Sequence, residues 1–228
     1  MGDRDAPPLQ LERLLGVLAA HRVEYLVVGG VAAQAHAATR PTTDLDACLR
    51  WTAENRERAA AGLAELNAGY RVEGMSERFP APLDGRMLAG SEISTWRTDA
   101  GDIDYLAGIP TAEHGLGRLA TYDDLAPRAQ RMVIAGIPVD VASLRDIIDS
   151  KQSLDRPSDR EALPELIALR DAPSEPSPSA TSPAGPPHDP RNKPSAGEPR
   201  RPKPGMNPPR YGRDDPGSPR RRGPRPKM

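Results

Sequence analysis

This chain of 228 residues is poor in several things that would point to common chemistries. It has a single cysteine, Cys48, so no intrachain disulfide can form and a reducing compartment is expected. Cys48 lies inside an apolar strand pattern, where a buried, inert thiol is the simpler expectation. No apolar run approaches ~20 residues, the length a helix needs to cross a bilayer. The opening "MGDRDAPPLQ" lacks the basic-then-apolar order of a secretory signal. The expected setting is therefore cytoplasmic, with no membrane partner. No serine or cysteine occupies a nucleophile-elbow pattern, which leaves covalent hydrolase chemistry without support. His114 and His188 have no metal-ligand spacing around them. His21 and His36 sit on helical patterns, where a structural role is the simpler reading. Aromatics are 4% of the chain, and Trp51 and Trp96 read as core or rim residues. No internal repeat is visible.

What is present is unevenly distributed. Residues 1–170 hold 10 of the 27 prolines and carry 19 Lys+Arg against 26 Asp+Glu, a net charge of −7. Residues 171–228 hold the other 17 prolines and carry a net +6, so the total of −1 hides an acidic body and a basic tail. The body is long enough for one hydrophobic core. The tail, from "DAPSEPSPSATSPAGPPHDP" to "DDPGSPRRRGPRPKM", offers little apolar surface to offset chain entropy and is expected to be disordered. Its deletion is expected to leave the thermal midpoint of the body unchanged, which calorimetry of both forms would check.

Along the body, "LQLERLLGVLAAHR" spaces Leu11, Leu14, Leu15 and Leu18 as an amphipathic helix. A buried strand follows in "VEYLVVGG", then a small-residue helix in "VAAQAHAAT" and a strand in "TDLDACLRW". "AENRERAAAGLAELNAG" is a second amphipathic helix closed by Gly69. Strands are expected near "YRVEG", "EISTWRT" and "DIDYLAG", and "RMVIAGIPVDVAS" reads as a hairpin turning at Ala135-Gly136. Two helices, "LRDIIDSKQSL" and "DREALPELIAL", close the body across "DRPS". The predicted fold is α/β (α+β): a mixed sheet flanked by helices over residues 1–170, with the tail at 171–228 as a separate region.

The segment "GGVAAQAHAATRPTTDLDACL" carries the chemistry. Residues two apart on a strand face the same way, so Asp44 and Asp46 project together while Leu45 faces the core. Two such carboxylates repel unless a cation lies between them, and a hard divalent ion is the usual answer. Gly29-Gly30, at the start of the next helix, is expected to expose backbone N–H groups that a phosphate can approach closely. A phosphate cradle followed by a metal site suits phosphoryl or nucleotidyl transfer. "GDIDYLAG" supplies a second carboxylate pair. Asp104 is preferred as the third ligand because it lies deeper in its strand, and Asp102 is expected at the strand's exposed entrance. Lys151 is the only lysine in residues 1–170, where the other 18 basic residues are arginine. Such a bias points to a need for a compact ammonium there, against the alternative of a surface lysine. Arg156 and Asp159 in "DRPSD" read equally as active-site support or as the start of the last helix, capped by Ser158 or Asp159. Arg40 reads as a phosphate contact or as a solvated turn residue.

These residues, "GG" followed 13 positions later by "DLD" and then by a later strand aspartate, resemble the nucleotidyltransferase superfamily of the DNA polymerase β type. Within it, the chain looks like small bacterial nucleotidyltransferases of the AbiEii/MenT toxin kind. The resemblance extends through "RPTTDLDACL", "TYDDL" and "GIPVDVASLRDIIDSKQSLDRPSDREALPEL", and covers roughly residues 10–170. It implies two Mg²⁺ ions (or Mn²⁺), an NTP such as ATP as co-substrate, and transfer of a nucleoside monophosphate to a hydroxyl with release of pyrophosphate. It further implies that Asp44, Asp46 and Asp104 bind metal, with Asp104 helping to deprotonate the acceptor. Gly29, Gly30, Arg40, Thr43 and Lys151 would hold the nucleotide. Many members carry serine where this chain has Gly30, which keeps the backbone donors but loses one hydroxyl. The acceptor classes are a tRNA 3′ end, a protein hydroxyl or a small molecule such as an aminoglycoside. A toxin held by a cognate antitoxin is compatible with all three. The competing reading is a non-catalytic nucleotide- or RNA-binding module with a vestigial site.

Overall fold

The computed structural model describes residues 7–72, 74–75, 77–114 and 117–172. The chain divides into two units, Met1–Glu175 and Pro176–Met228, and every described residue belongs to the first. The expected disordered tail starts at 171, but Asp171 ends a helix and Ala172 caps it; residues 173–228, with His188 and the arginine cluster at 220–222, lie outside the described residues.

The leucine periodicity near the N-terminus becomes α1 (Leu11–Ala20), whose Leu14, Leu15 and Leu18 are fully buried. The apolar run after it is β1 (Tyr25–Val28), and the chain then turns directly into α2 (Gly29–Ala35). The strand carrying the first carboxylate pair is β2 (Asp44–Leu49). It is followed by α3 (Ala53–Glu65), which begins where the Thr52 hydroxyl accepts the Asn55 N–H. The middle of the body is more finely divided than its sequence pattern predicts. It holds β3 (Gly69–Arg71), β4 (Arg78–Phe79), a short α4 (Gly85–Ala89), β5 (Ile93–Thr98) and β6 (Gly101–Leu106). A small separate hairpin, β7 (Gly108–Pro110) with β8 (Leu119–Thr121), was not expected, and "TYDDL" forms the short α5 (Tyr122–Leu125). The predicted hairpin is β9 (Gln130–Ile134) and β10 (Ile137–Val141), with both turn residues, Ala135 and Gly136, in the left-handed region. Two helices follow, α6 (Leu144–Leu154) and α7 (Pro157–Asp171).

The expected mixed sheet has eight strands in the order β4-β3-β5-β6-β2-β1-β10-β9. β2 runs parallel to β6 and β1 parallel to β10, while the other pairs are antiparallel. Leu45, Trp96 and Ile103 are fully buried, as alternation along these strands requires. Cys48 is buried as expected, and burial pushes its thiol up to about 12, which makes it inert at neutral pH. Trp96 stacks on Tyr70 at 4.8 Å between ring centres, and Trp51 stays at the rim beneath the Arg56 guanidinium. His36 bonds the Ala142 carbonyl at 2.8 Å and His21 pairs with Glu65, both structural contacts. Among the described residues, no helix is long and apolar enough to cross a membrane.

Candidate active site

The parallel register of β2 on β6 places Asp44 opposite Asp102 and Asp46 opposite Asp104. Four carboxylates therefore form a two-by-two grid on one face of the sheet. Antiparallel pairing with β5 adds Arg97 opposite Asp102 and Thr95 opposite Asp104 on the same face. Asp102 is not at an exposed strand entrance, as its place beside Gly101 suggests. It is 7% exposed and held by Arg97, whose Nε donates to Asp102 Oδ1 at 3.1 Å. This pair is the fixed part of the grid, since Arg97 is itself buried and also donates to the Met75 carbonyl at 2.7 Å.

Arg71, at the end of β3, escapes sequence reasoning altogether. Its side chain reaches past β5 to the carboxylates, donating to both oxygens of Asp104 at 2.8 and 2.9 Å. It also touches Asp102 at 3.3 Å and Asp44 at 3.4 Å. Nothing in "GYRV" distinguishes this arginine from a solvated one; only the strand order brings it to the grid.

The negative charge is still incompletely offset. Burial, followed by repulsion from Asp44, pushes the Asp46 carboxyl up to about 6 against help from the Gly30 N–H, Lys151 and Arg71. Burial likewise pushes Asp104 up to about 7, with Arg71 opposing and the other three carboxylates adding to the rise. The native protein thus keeps the Asp46 proton up to about pH 6, whereas the unfolded chain releases it near 3.8. Stability tied to this proton is complete below pH ~4 and is lost as pH rises to ~6. Without metal, wild type is expected to fall below Asp46→Asn by on the order of 2–3 kcal/mol across that window. Thermal midpoints of both proteins in chelator from pH 4 to 7 would check this, and a constant difference would contradict it.

The glycine pair is built around Asp46. Gly29 has φ of +62°, and a Cβ there would lie 1.9 Å from Asp46 Oδ2, so only glycine fits. The Gly30 N–H helps to hold the Asp46 carboxyl down against the effect of burial. A Cβ on Gly30 would meet Thr42 Oγ1 at 2.4 Å. The space a serine would need is filled by the Thr42 hydroxyl, which lies 3.2 Å from Asp44 Oδ1. Thr42 is half-buried beside the carboxylates, whereas Thr43 is exposed at the rim.

Lys151 projects from α6, and its side chain is 18% exposed, which removes the surface-lysine alternative. Its Nζ donates to Asp159 Oδ1 at 2.9 Å, and its charge reaches Asp46. Asp159 does not cap α7, and neither does Ser158. That helix begins at Pro157 after Arg156, with no side-chain cap, because proline at the first position already suits the start of a helix. Asp159 instead points inward: it is 5% exposed, and its Oδ2 has no hydrogen-bond partner among the described residues. Arg40 pairs with Glu161 at 2.8 Å across the same rim.

These groups line one cleft of about 540 Å³, within the range of small-molecule sites. Asp44, Asp46, Asp104, Gly29, Gly30, Thr42 and Lys151 line it together with an apolar wall that includes Leu106, Ile109, Leu119, Ile147 and Leu154, while Asp102 lies behind it on Arg97. Gly29, Gly30, Arg40, Thr43, Asp44, Asp46, Asp104 and Lys151, all singled out by sequence, meet here. Among the described residues, no three of His, Cys, Asp and Glu converge as a ready-made metal site. The donors nevertheless suit a hard cation: all are carboxylate oxygens, and burial together with the neighbouring carboxylates makes two of the groups resist ionising. The Arg71 guanidinium now stands among them.

No family model matches this chain, and no curated protein matches it. Among solved structures, it is similar to ANT(2″)-Ia in complex with adenylyl-2″-tobramycin, at 16% identity and a TM-score of 0.46 over 70% of this chain and 86% of that one. A Thermotoga maritima protein assigned as a nucleotidyltransferase matches at 15% identity and a TM-score of 0.44, over 69% of this chain and 89% of its own. The solution structure of the antibiotic-resistance factor ANT(2″)-Ia matches at 18% identity and a TM-score of 0.42, over 71% and 82%.

Proposed function

We propose that this chain is a divalent-metal-dependent nucleotidyltransferase that moves a nucleoside monophosphate from an NTP to an acceptor hydroxyl. The observation that carries this reading is the β2–β6 register, which sets Asp44 and Asp46 beside Asp104 on the wall of a cleft that Lys151 also lines. Asp44, Asp46 and Asp104 would hold Mg²⁺ or Mn²⁺. The chemistry supplied by such an ion is neutralisation of triphosphate charge and a more acidic acceptor hydroxyl. Lys151, with Arg40 and the exposed Thr43 at the rim, would bind the phosphates. The apolar wall would receive the base. The acceptor oxygen attacks the α-phosphorus, the bond to the β-phosphate oxygen breaks, and pyrophosphate leaves with the bonding pair. The hydroxyl proton passes to a carboxylate oxygen of Asp104. Lys151 stabilises the charge that develops on the leaving pyrophosphate.

One observation favours the competing reading of a non-catalytic nucleotide- or RNA-binding module. Arg71 already offsets part of the charge of the grid without a metal. Incubation with each labelled NTP, Mg²⁺ or Mn²⁺ and cell extract separates the two. Labelled tRNA, protein or aminoglycoside, absent in chelator, is the expected outcome and names the acceptor. Absence of any labelled product would overturn transfer. A toxin role would show as growth arrest on expression, relieved by a cognate antitoxin and lost in Asp46→Asn.

A further inference from the structure

Two arginines offset part of the grid's charge, and they are held differently. Arg97 is 4% exposed and is tied to Asp102 and to the Met75 carbonyl. Arg71 has a side chain 22% exposed and ends a strand of three residues. The carboxylate grid is its anchor, because both short bonds go to Asp104 and the contacts to Asp102 and Asp44 are long. To arrive there from β3 it crosses β5, a span on the order of 10 Å, over the small Thr95 side chain. Both oxygens of Asp104 are engaged by the guanidinium, and a hard cation would need lone pairs on the same atoms.

We propose that Arg71 is a displaceable counterion: it holds the grid together in the metal-free protein and must withdraw before a divalent cation can bind, so cation affinity is set by competition with this side chain. The proposal rests on the metal-dependent reading above. It explains how four carboxylates, one buried and three half-buried, stand together without a metal. Breaking a partly buried ion pair with no replacement leaves uncompensated charge, so withdrawal is coupled to arrival of the cation. Arg71 therefore acts through Asp104 and Asp44 as a positioning residue.

The test is a Mn²⁺ titration of the full chain, read by the electron-spin-resonance signal of free ion, for wild type, Arg71→Gln and Arg71→Lys. Arg71→Gln is expected to bind Mn²⁺ at least about tenfold tighter than wild type, since its competitor is gone. In chelator its thermal midpoint should be lower than that of wild type, and saturating Mn²⁺ should raise it by more. Arg71→Lys, which keeps the charge but not the fork, should fall between, and it carries the test if the glutamine variant does not fold without metal. Equal affinities in all three proteins would overturn displacement while leaving metal binding intact. Failure of wild type and both variants to bind Mn²⁺, with or without NTP, would overturn the proposed function itself.

Discussion

Asp44→Asn and Asp46→Asn are each expected to lower kcat/KM for transfer by about 10³-fold or more, equivalent to ~4 kcal/mol of transition-state stabilisation. An amide supplies an oxygen but no charge, and the cation it would share must offset a triphosphate. The loss should not come from unfolding. Asp46 is an energetic burden to the metal-free fold, as its raised carboxyl shows, so its amide variant should be at least as stable near neutral pH. Asp44 differs, because it accepts from Arg71 and from the Thr42 hydroxyl, and its variant should lose some stability. Activity together with thermal midpoints, with and without Mn²⁺, distinguishes chemistry from folding. Full activity in either variant would sink the metal-dependent mechanism.

Lys151→Ala should reduce NTP use by ~10–1000-fold, through loss of a charge-assisted phosphate contact and of stabilisation of the leaving group. The structure adds a second consequence. Removing the ammonium strips a buried carboxylate of its cation, since Asp159 Oδ1 binds Lys151 and Oδ2 has no partner among the described residues. A cost on the order of 3 kcal/mol in stability follows. The double variant Lys151→Ala/Asp159→Asn should recover part of that stability but none of the activity. Lys151→Arg should rescue poorly, because a longer planar fork does not replace a compact ammonium in a closed space. If the single variant were stable and active, the lysine would have neither role.

Much of the candidate site was legible because it depends on local rules. Alternation along a strand is enough to pair Asp44 with Asp46 and Asp102 with Asp104, whatever the sheet around them. A glycine pair after an apolar run marks a place where backbone comes close to something, and that something proved to be the Asp46 carboxylate. The isolation of Lys151 in an arginine-rich body is visible by counting. The helices and the main strands likewise follow from periodicity. The exceptions, such as β4 and the β7–β8 hairpin, have two or three residues each, too few for a repeating pattern to show.

Local pattern thus sets which side chains share a face and which residue types are present for chemistry. Long-range pairing sets which of them meet. That β2 lies parallel to β6, with Asp46 level with Asp104, follows from long-range pairing and burial of the opposite face. The placement of β3 two strands away lets Arg71 reach the carboxylates, and the packing of α7 against α6 turns Asp159 inward to Lys151. These contacts join residues 8 to 33 positions apart through side chains whose direction no local pattern sets. Charge then selects among them, because buried carboxylates without a cation cost more than the ordering of one long side chain.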